Sequence, residues 1–232
     1  MQTWISELEN LQNPDKAKIL SRFFKTGKGE YGEGDKFLGI TVPQNREVAK
    51  RHFHEPLCTI REMMQNPYHE IRLSALLALV IKYKKEKSNR KEIFYFYLTI
   101  ADRCNNWDLV DLSAPYIIGE YMLTYPQPAV LDQLSDSDNL WLQRIAIVST
   151  LTPVRHGLFS DTLRIAEKYL THSHPLIHKA TGWLLREVGK KDIQALRTFL
   201  NSHAHTMPRT ALRYAIEKLP DTERKYYLNY KP

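Results

Sequence analysis

Cysteine is nearly missing from this chain: Cys58 and Cys104 stand alone among 232 residues. Their spacing matches neither a zinc-ligand pattern nor a disulfide framework, which excludes a stapled mini-fold and points to a reducing compartment, the cytoplasm. Long apolar runs are also missing, and none approaches the roughly 20 residues that a membrane span needs. The first residues, Met1-Gln-Thr-Trp-Ile-Ser-Glu, lack a basic stretch leading into an apolar one, so no export signal is expected. Strict alternation of β-branched residues is scarce, which leaves strands without support. The one glycine-rich stretch, Gly27-Lys-Gly-Glu-Tyr-Gly-Glu-Gly34, lacks the Gly-Lys-Ser/Thr ending of a phosphate-binding loop and reads as a flexible surface loop.

What is present is helical. Hydrophobic residues make up 43% of the chain and charged residues 25%, values of a folded globular protein and too apolar for disorder. The length suits one domain over residues 1–232 or one continuous repeat array. Glycine and proline punctuate apolar segments of helical period. Helices are expected over Thr3–Gln12, Pro14–Lys25, Pro43–His52, Leu57–Gln65, Glu70–Lys84, Arg90–Cys104 and Trp107–Tyr125. They continue over Pro128–Ser135, Leu140–Leu151, Gly157–Leu170, Ile177–Lys190, Asp192–Asn201 and Pro208–Leu219.

One helix recurs along this order. The segments around Arg72, Asp108, Arg144 and Lys179 are alike and lie 36, 36 and 35 residues apart, a period long enough for two helices and their turns, as in HEAT-type α-solenoids. The expected fold is therefore all-α: a right-handed stack of antiparallel helix pairs with one helix of each pair on a concave wall. With those four residues as position zero, Trp107 falls at −1, Asp111 at +3, Trp183 at +4 and Arg186 at +7. These offsets share one helical stripe. The opposite stripe supplies Leu109, Ile145, Ile147 and Leu184 for packing. A net charge of +7 and a pI near 9.3 favour an anionic partner for the concave wall.

The segments Phe37-Leu-Gly-Ile-Thr-Val-Pro-Gln-Asn-Arg46, Asn106-Trp-Asp-Leu-Val-Asp111, Asn139-Leu-Trp-Leu-Gln-Arg144-Ile-Ala-Ile147 and Lys179-Ala-Thr-Gly-Trp183-Leu-Leu-Arg-Glu187 together resemble the AlkD family of DNA alkylation repair glycosylases. The resemblance spans most of the chain and implies a HEAT-like solenoid that removes N3- and N7-alkylated purines from duplex DNA. It places Trp107, Asp111, Arg144 and Trp183 at functional positions, with Asn106 replacing the first tryptophan of the family's Trp-Trp pair. The glycine-rich stretch is a longer insert than the family's pattern. An N7- or N3-alkylated purine is already cationic and leaves without strong acid assistance, so the burden falls on the sugar. A fixed carboxylate, Asp111, stabilises an oxocarbenium-like deoxyribose and orients or deprotonates the attacking water. Asp108 lies on a different edge of the helix. Trp107 and Trp183 offer electron-rich faces, each well-placed cation–π contact contributing roughly 0.5–2 kcal/mol. Arg144 suits a backbone phosphate, Lys179 and Arg186 extend that grip, and Thr41 and Arg46 of the first motif join the DNA-binding set. No lysine need form a Schiff base, so a monofunctional glycosylase is expected, working as a monomer without cofactor or metal.

Plainer readings stand beside this one. Tryptophans at helical spacing more often pack a core, Asp111 alone reads as a cap or salt-bridge residue, and Arg144 suits an acidic neighbour; the site depends on all four converging. The histidines at 172, 174, 178, 203 and 205 lack the cysteine or carboxylate partners of a metal site. Lys82 to Lys87 reads as a solvated helix end. A catalytically silent repeat protein recognising damaged or branched DNA is the alternative function, and a scaffold holding an acidic peptide in the basic groove is a third.

Overall fold

The computed structural model describes residues 1–229. It is all-α: no β-strand occurs among the described residues, and an isolated parallel bridge joins Lys36 to Tyr68. Among them, no helix is long and apolar enough to cross a membrane. Two compact units are present, one over Met1–Ser113 and one from Ala114 onward.

The first unit holds α1 (Gln2–Glu9), α2 (Pro14–Phe23), α3 (Val42–His52), α4 (Leu57–Met63), α5 (His69–Lys85), α6 (Arg90–Ile100) and α7 (Trp107–Asp111). Its axis is α5, whose residues from His69 to Val80 are buried without interruption. A helix apolar on every side must be wrapped on every side, and α1, α3, α4, α6 and α7 all pack on it. Trp4 of α1 shows how: fully buried, it stacks on His52 of α3 at 5.0 Å and donates its indole N–H to Ser74 of α5 at 2.9 Å.

Caps set the starts. Asn13 accepts the N–H of Lys16 with Pro14 in the first turn of α2. Gln44 Oε1 accepts both the N–H and the hydroxyl of Thr41 ahead of α3. Between α2 and α3 the chain is pinned by Gly39. At φ +84° a Cβ there would stand 2.1 Å from the Asn13 carbonyl oxygen, so only glycine lets Leu38 accept the Asn13 N–H at 2.8 Å.

The second unit opens on a π-helical turn (Pro115–Gly119) and continues through α8 (Glu120–Thr124), α9 (Pro128–Ser135), α10 (Leu140–Ser149), α11 (Leu151–Arg155), α12 (Ser160–Lys168), α13 (Pro175–Lys191), α14 (Ile193–His203), α15 (Arg209–Ala215) and α16 (Asp221–Asn229). Here α13 is central, packed by α10, α11, α12, α14 and α15. Leu185, Leu196, Leu200, Leu212 and Ile216 are core residues of this unit.

Three expected helices are corrected. Trp107–Tyr125 is not one helix, because Pro115 has no N–H for the Asp111 carbonyl; α7 ends at Asp111, a π turn follows, and α8 resumes at Glu120. Pro153 likewise leaves the Ser149 carbonyl without a helical donor, so α10 stops there and α11 is separate. The helix expected to Cys104 ends at Ile100 and tightens into a 3-10 turn over Ala101–Arg103. Helix α16, which the periodicity did not reveal, is held by Tyr227, whose hydroxyl donates to Asn201 at 2.9 Å, and by the Arg197–Glu223 pair at 2.7 Å.

Candidate active site

Helix α7 presents Trp107 and Asp111 one turn apart on the wall of a cavity of about 440 Å³ within the first unit. The remaining wall is mostly aromatic and aliphatic, with Ile19, Leu20, Phe23 and Phe24 from α2 and its end, and Phe37 and Ile40 from the loop before α3. Phe23 and Ile19 are 60% and 66% exposed, so α2 turns an unusually apolar edge outward beside this opening. Phe24 is the pivot of the cluster. It stacks on Trp107 at 5.3 Å and on Phe37 at 5.2 Å, while Phe23 meets Trp107 edge-on at 5.9 Å. Each such contact adds about 0.5–1.5 kcal/mol beyond burial, enough to fix the plane of the half-buried indole.

A buried charge cluster at the start of α5 completes the wall, with His69, Glu70 and Asp108 also lining the cavity. His69 Nε2 is 2.8 Å from Asp108 Oδ2, and Nδ1 is 3.2 Å from Asp35 Oδ2. Carboxylates accept on both ring nitrogens, so the imidazole carries both protons. Burial opposes that charge, but Asp108 and Asp35 outweigh it and raise the His69 pKa to about 9. The ring also stacks on Phe37 at 4.8 Å. Arg72 donates to Asp35 Oδ1 at 2.7 Å and to the Asn66 carbonyl at 2.7 Å. Burial pushes the Asp35 carboxyl up, yet His69, Arg72 and Asn105 hold it below the usual carboxylate range. Glu70, also buried, takes the backbone N–H groups of Leu38, Gly39 and Ile40 at 2.8–3.2 Å.

The two aspartates of α7 are thereby separated in role. Asp108 is 6% exposed and commits its oxygens to His69 and to the Leu109 N–H. Asp111 is half-buried and lines the cavity. Asp108 lines the same cavity as Asp111, and what distinguishes it is its bond to His69.

The other anticipated residues divide between the two units. Thr41 lines the same cavity and caps α3, and Arg46 is exposed on α3. In the second unit, Arg144 on α10 is 5% exposed and donates Nη1 to the Leu176 carbonyl at 2.8 Å, tying α10 to the first turn of α13. Lys179 is exposed and Trp183 half-buried on α13. Arg186 pairs with Glu217 and lies 3.8 Å from Glu187, so its charge is already answered.

The histidines of the 172–178 segment serve backbone instead. His172 Nδ1 accepts the His174 N–H, His174 Nδ1 accepts the Leu176 N–H at the start of α13, and His178 Nε2 meets the His172 carbonyl at 2.5 Å. Among the described residues no group of three or more His, Cys, Asp and Glu side chains is placed to hold a metal ion.

Sequence reasoning missed Phe23, Phe24, His69, Glu70 and Asp35. Two adjacent phenylalanines at the end of a helix whose faces diverge by about 100° were a usable signal, since both cannot enter the same core. Asp35 left none, because its partners lie 34 to 70 residues away.

Comparison with known proteins bears on the family and the fold. A family profile described as DNA alkylation repair enzyme matches residues 4–219. A solved structure from Enterococcus faecalis, described as a predicted DNA alkylation repair enzyme, shares the fold with a TM-score of 0.70 at 19% identity, covering 90% of this chain and 97% of that one. No curated protein matches.

Proposed function

The chain belongs to the DNA alkylation repair enzyme family, and from that premise we propose that it is a monofunctional glycosylase releasing N3- and N7-alkylated purines from duplex DNA. The observation that carries the reading is the pairing of Trp107 with Asp111 on one aromatic cavity wall.

In this mechanism the alkylated base is a cation before the enzyme acts, and the glycosidic bond breaks by loss of that base as a neutral purine. Positive charge then spreads over the deoxyribose ring. Asp111 stabilises that charge more than it stabilises the intact nucleoside, and it orients and deprotonates the incoming water, which completes the abasic sugar. The Trp107 face, held by Phe24, attracts the cationic lesion and keeps bulk water away. Trp183 supplies a second indole. Arg144 adds its positive charge beside the backbone phosphates, with Lys179, Arg46 and Thr41 making the contact. Arg186 joins them by exchanging the carboxylate of Glu217 for a phosphate. The partner is double-stranded DNA, read through its backbone and not its sequence.

The test is chromatographic detection of methylated purine released from alkylated duplex under single-turnover conditions, with Asp111→Asn alongside. The variant should bind DNA normally and lose on the order of 10²-fold or more in excision rate, the usual cost of removing one charge-stabilising group. Equal rates would remove Asp111 from the mechanism. Binding without any base release by the wild type would leave the silent DNA-binding reading in its place.

A further inference from the structure

The glycine-rich stretch ahead of the Phe37 motif runs over the surface and turns inward at Gly32 and Asp35, toward the proposed site. Its turns are closed by its own acids, Gly27 N–H to Glu30 at 2.8 Å and Gly29 N–H to Glu33 at 2.7 Å. Gly32 lies against the end of α2: a Cβ there would stand 2.4 Å from the Phe24 carbonyl oxygen and 3.4 Å from Asn106 Nδ2. The stretch then delivers Asp35, whose side chain is 4% exposed.

Asp35 grips the start of α7 by two routes. Directly, Oδ1 accepts Asn105 Nδ2 at 2.8 Å. Indirectly, Oδ2 faces His69, whose other nitrogen holds Asp108. Arg72 cross-links the set by donating to both Asp35 and Asn105. Residues 105 and 108 are therefore both engaged, and between them lies Trp107, stacked on the same Phe24 that Gly32 covers.

We infer that the 27–35 segment is a positioning strap for α7, acting through the Asp35–His69–Asp108 chain to aim Trp107 and Asp111 into the cavity. The inference rests on the proposed roles of those two residues. It makes Asp35 and His69 positioning residues: Asp35 is outside the cavity lining, His69 reaches that lining with both ring nitrogens committed to Asp35 and Asp108, and both act through α7. A misplacement of about 1 Å at reacting groups costs about 10²-fold in rate, so loosening the strap should damage chemistry far more than affinity.

The experiment uses the full chain labelled with 5-fluorotryptophan, in which the four indoles give separate fluorine resonances, assigned by single Trp→Phe replacements. In Asp35→Asn the Trp107 resonance should shift or broaden while that of Trp4, buried between α1 and α5, stays in place. Single-turnover excision should fall about 10²-fold with duplex affinity within about twofold of wild type. Asn105→Ala, which removes one of Asp35's partners and leaves the buried charges, serves with the same readouts if Asp35→Asn does not fold. An unmoved Trp107 resonance in a folded variant overturns the strap, whatever happens to activity. A displaced Trp107 resonance in a protein whose wild type releases no base upholds the strap and retires the glycosylase reading instead.

Discussion

Titrating His69 should be visible in the stability of the protein. Its ring sits 2% exposed between Asp108 and Asp35, and its pKa rises from 6.5 to about 9. In the unfolded chain the ring returns to its ordinary value. Below about pH 6.5 both states hold the proton, and the favourable contribution of the buried imidazolium is fully present. Above that the unfolded state releases its proton while the folded state keeps it, so each further pH unit lowers the stability until the folded ring also titrates near pH 9. Across the window from pH 6.5 to about 9, at about 1.4 kcal/mol for each pH unit, the loss comes to about 3 kcal/mol, undiminished by solvent screening at so buried a site.

The assay is urea unfolding of wild type and His69→Gln at intervals between about pH 6 and pH 9.5. The variant loses absolute stability at every pH, since Asp35 and Asp108 lose the ring that joins them. The informative quantity is the gap between the two proteins, because groups that titrate alike in both cancel. The charged groups facing His69 are Asp35 from the strap, Asp108 from α7, and Glu70 and Arg72 from α5 itself. The nearby Cys104 thiol is pushed by burial up to about 12 and is silent over this range. The gap should therefore be widest near pH 6 and shrink by about 3 kcal/mol toward pH 9.5. A gap constant with pH would mean a neutral ring, and the charge-based account of the α5–α7 contact would fail.

Two further perturbations probe the same region. Glu70→Gln replaces the oxygen that accepts the Leu38 N–H with a donor or strips the charge from three N–H contacts; a loss of about 2–4 kcal/mol is expected in urea unfolding, and an unchanged midpoint would contradict it. Gly39→Ala adds a methyl 2.1 Å from the Asn13 carbonyl oxygen at φ +84°, whereas Gly34→Ala meets open space at φ +89°. Both lose roughly 1–2 kcal/mol to the left-handed backbone, so the expected result is a Tm distinctly lower for Gly39→Ala than for Gly34→Ala, and equal values would refute the close approach.

The fold was legible where local chemistry speaks. The start of α9 and the caps of α2 and α3 follow from proline, asparagine and threonine at their expected places, and the apolar core of α5 stands out as an uninterrupted run. The breaks at Pro115 and Pro153 were equally open to reading, since each proline names the carbonyl it abandons. The periodic stripe led instead to a continuous helix. Asp111 and Trp107 were found through a motif, and their shared helix face is geometry that spacing can predict. The charge cluster was not, because Arg72 and Asp108, aligned by the repeat as equivalent members of an anion-facing register, are in fact both buried and are joined through Asp35 and His69.

That burial bears on what the register means. Of its position-zero residues, Arg72, Asp108 and Arg144 are 2%, 6% and 5% exposed, and Lys179 alone is exposed. The first two tie the starts of α5 and α7 to the strap, and Arg144 ties α10 to the Leu176 carbonyl at the start of α13. A long polar side chain near the beginning of a helix can reach the backbone or acid that precedes the next one, and leaving it unpaired there costs about 3–5 kcal/mol for a buried ion. At Arg72, Asp108 and Arg144 the recurring polar residue is thus a fastening between a helix and a segment elsewhere in its unit. In α7 the residues at −1 and +3, Trp107 and Asp111, line the cavity together with Asp108, and of these Asp108 is the one bonded to His69, which leaves the proposed chemistry to its neighbours.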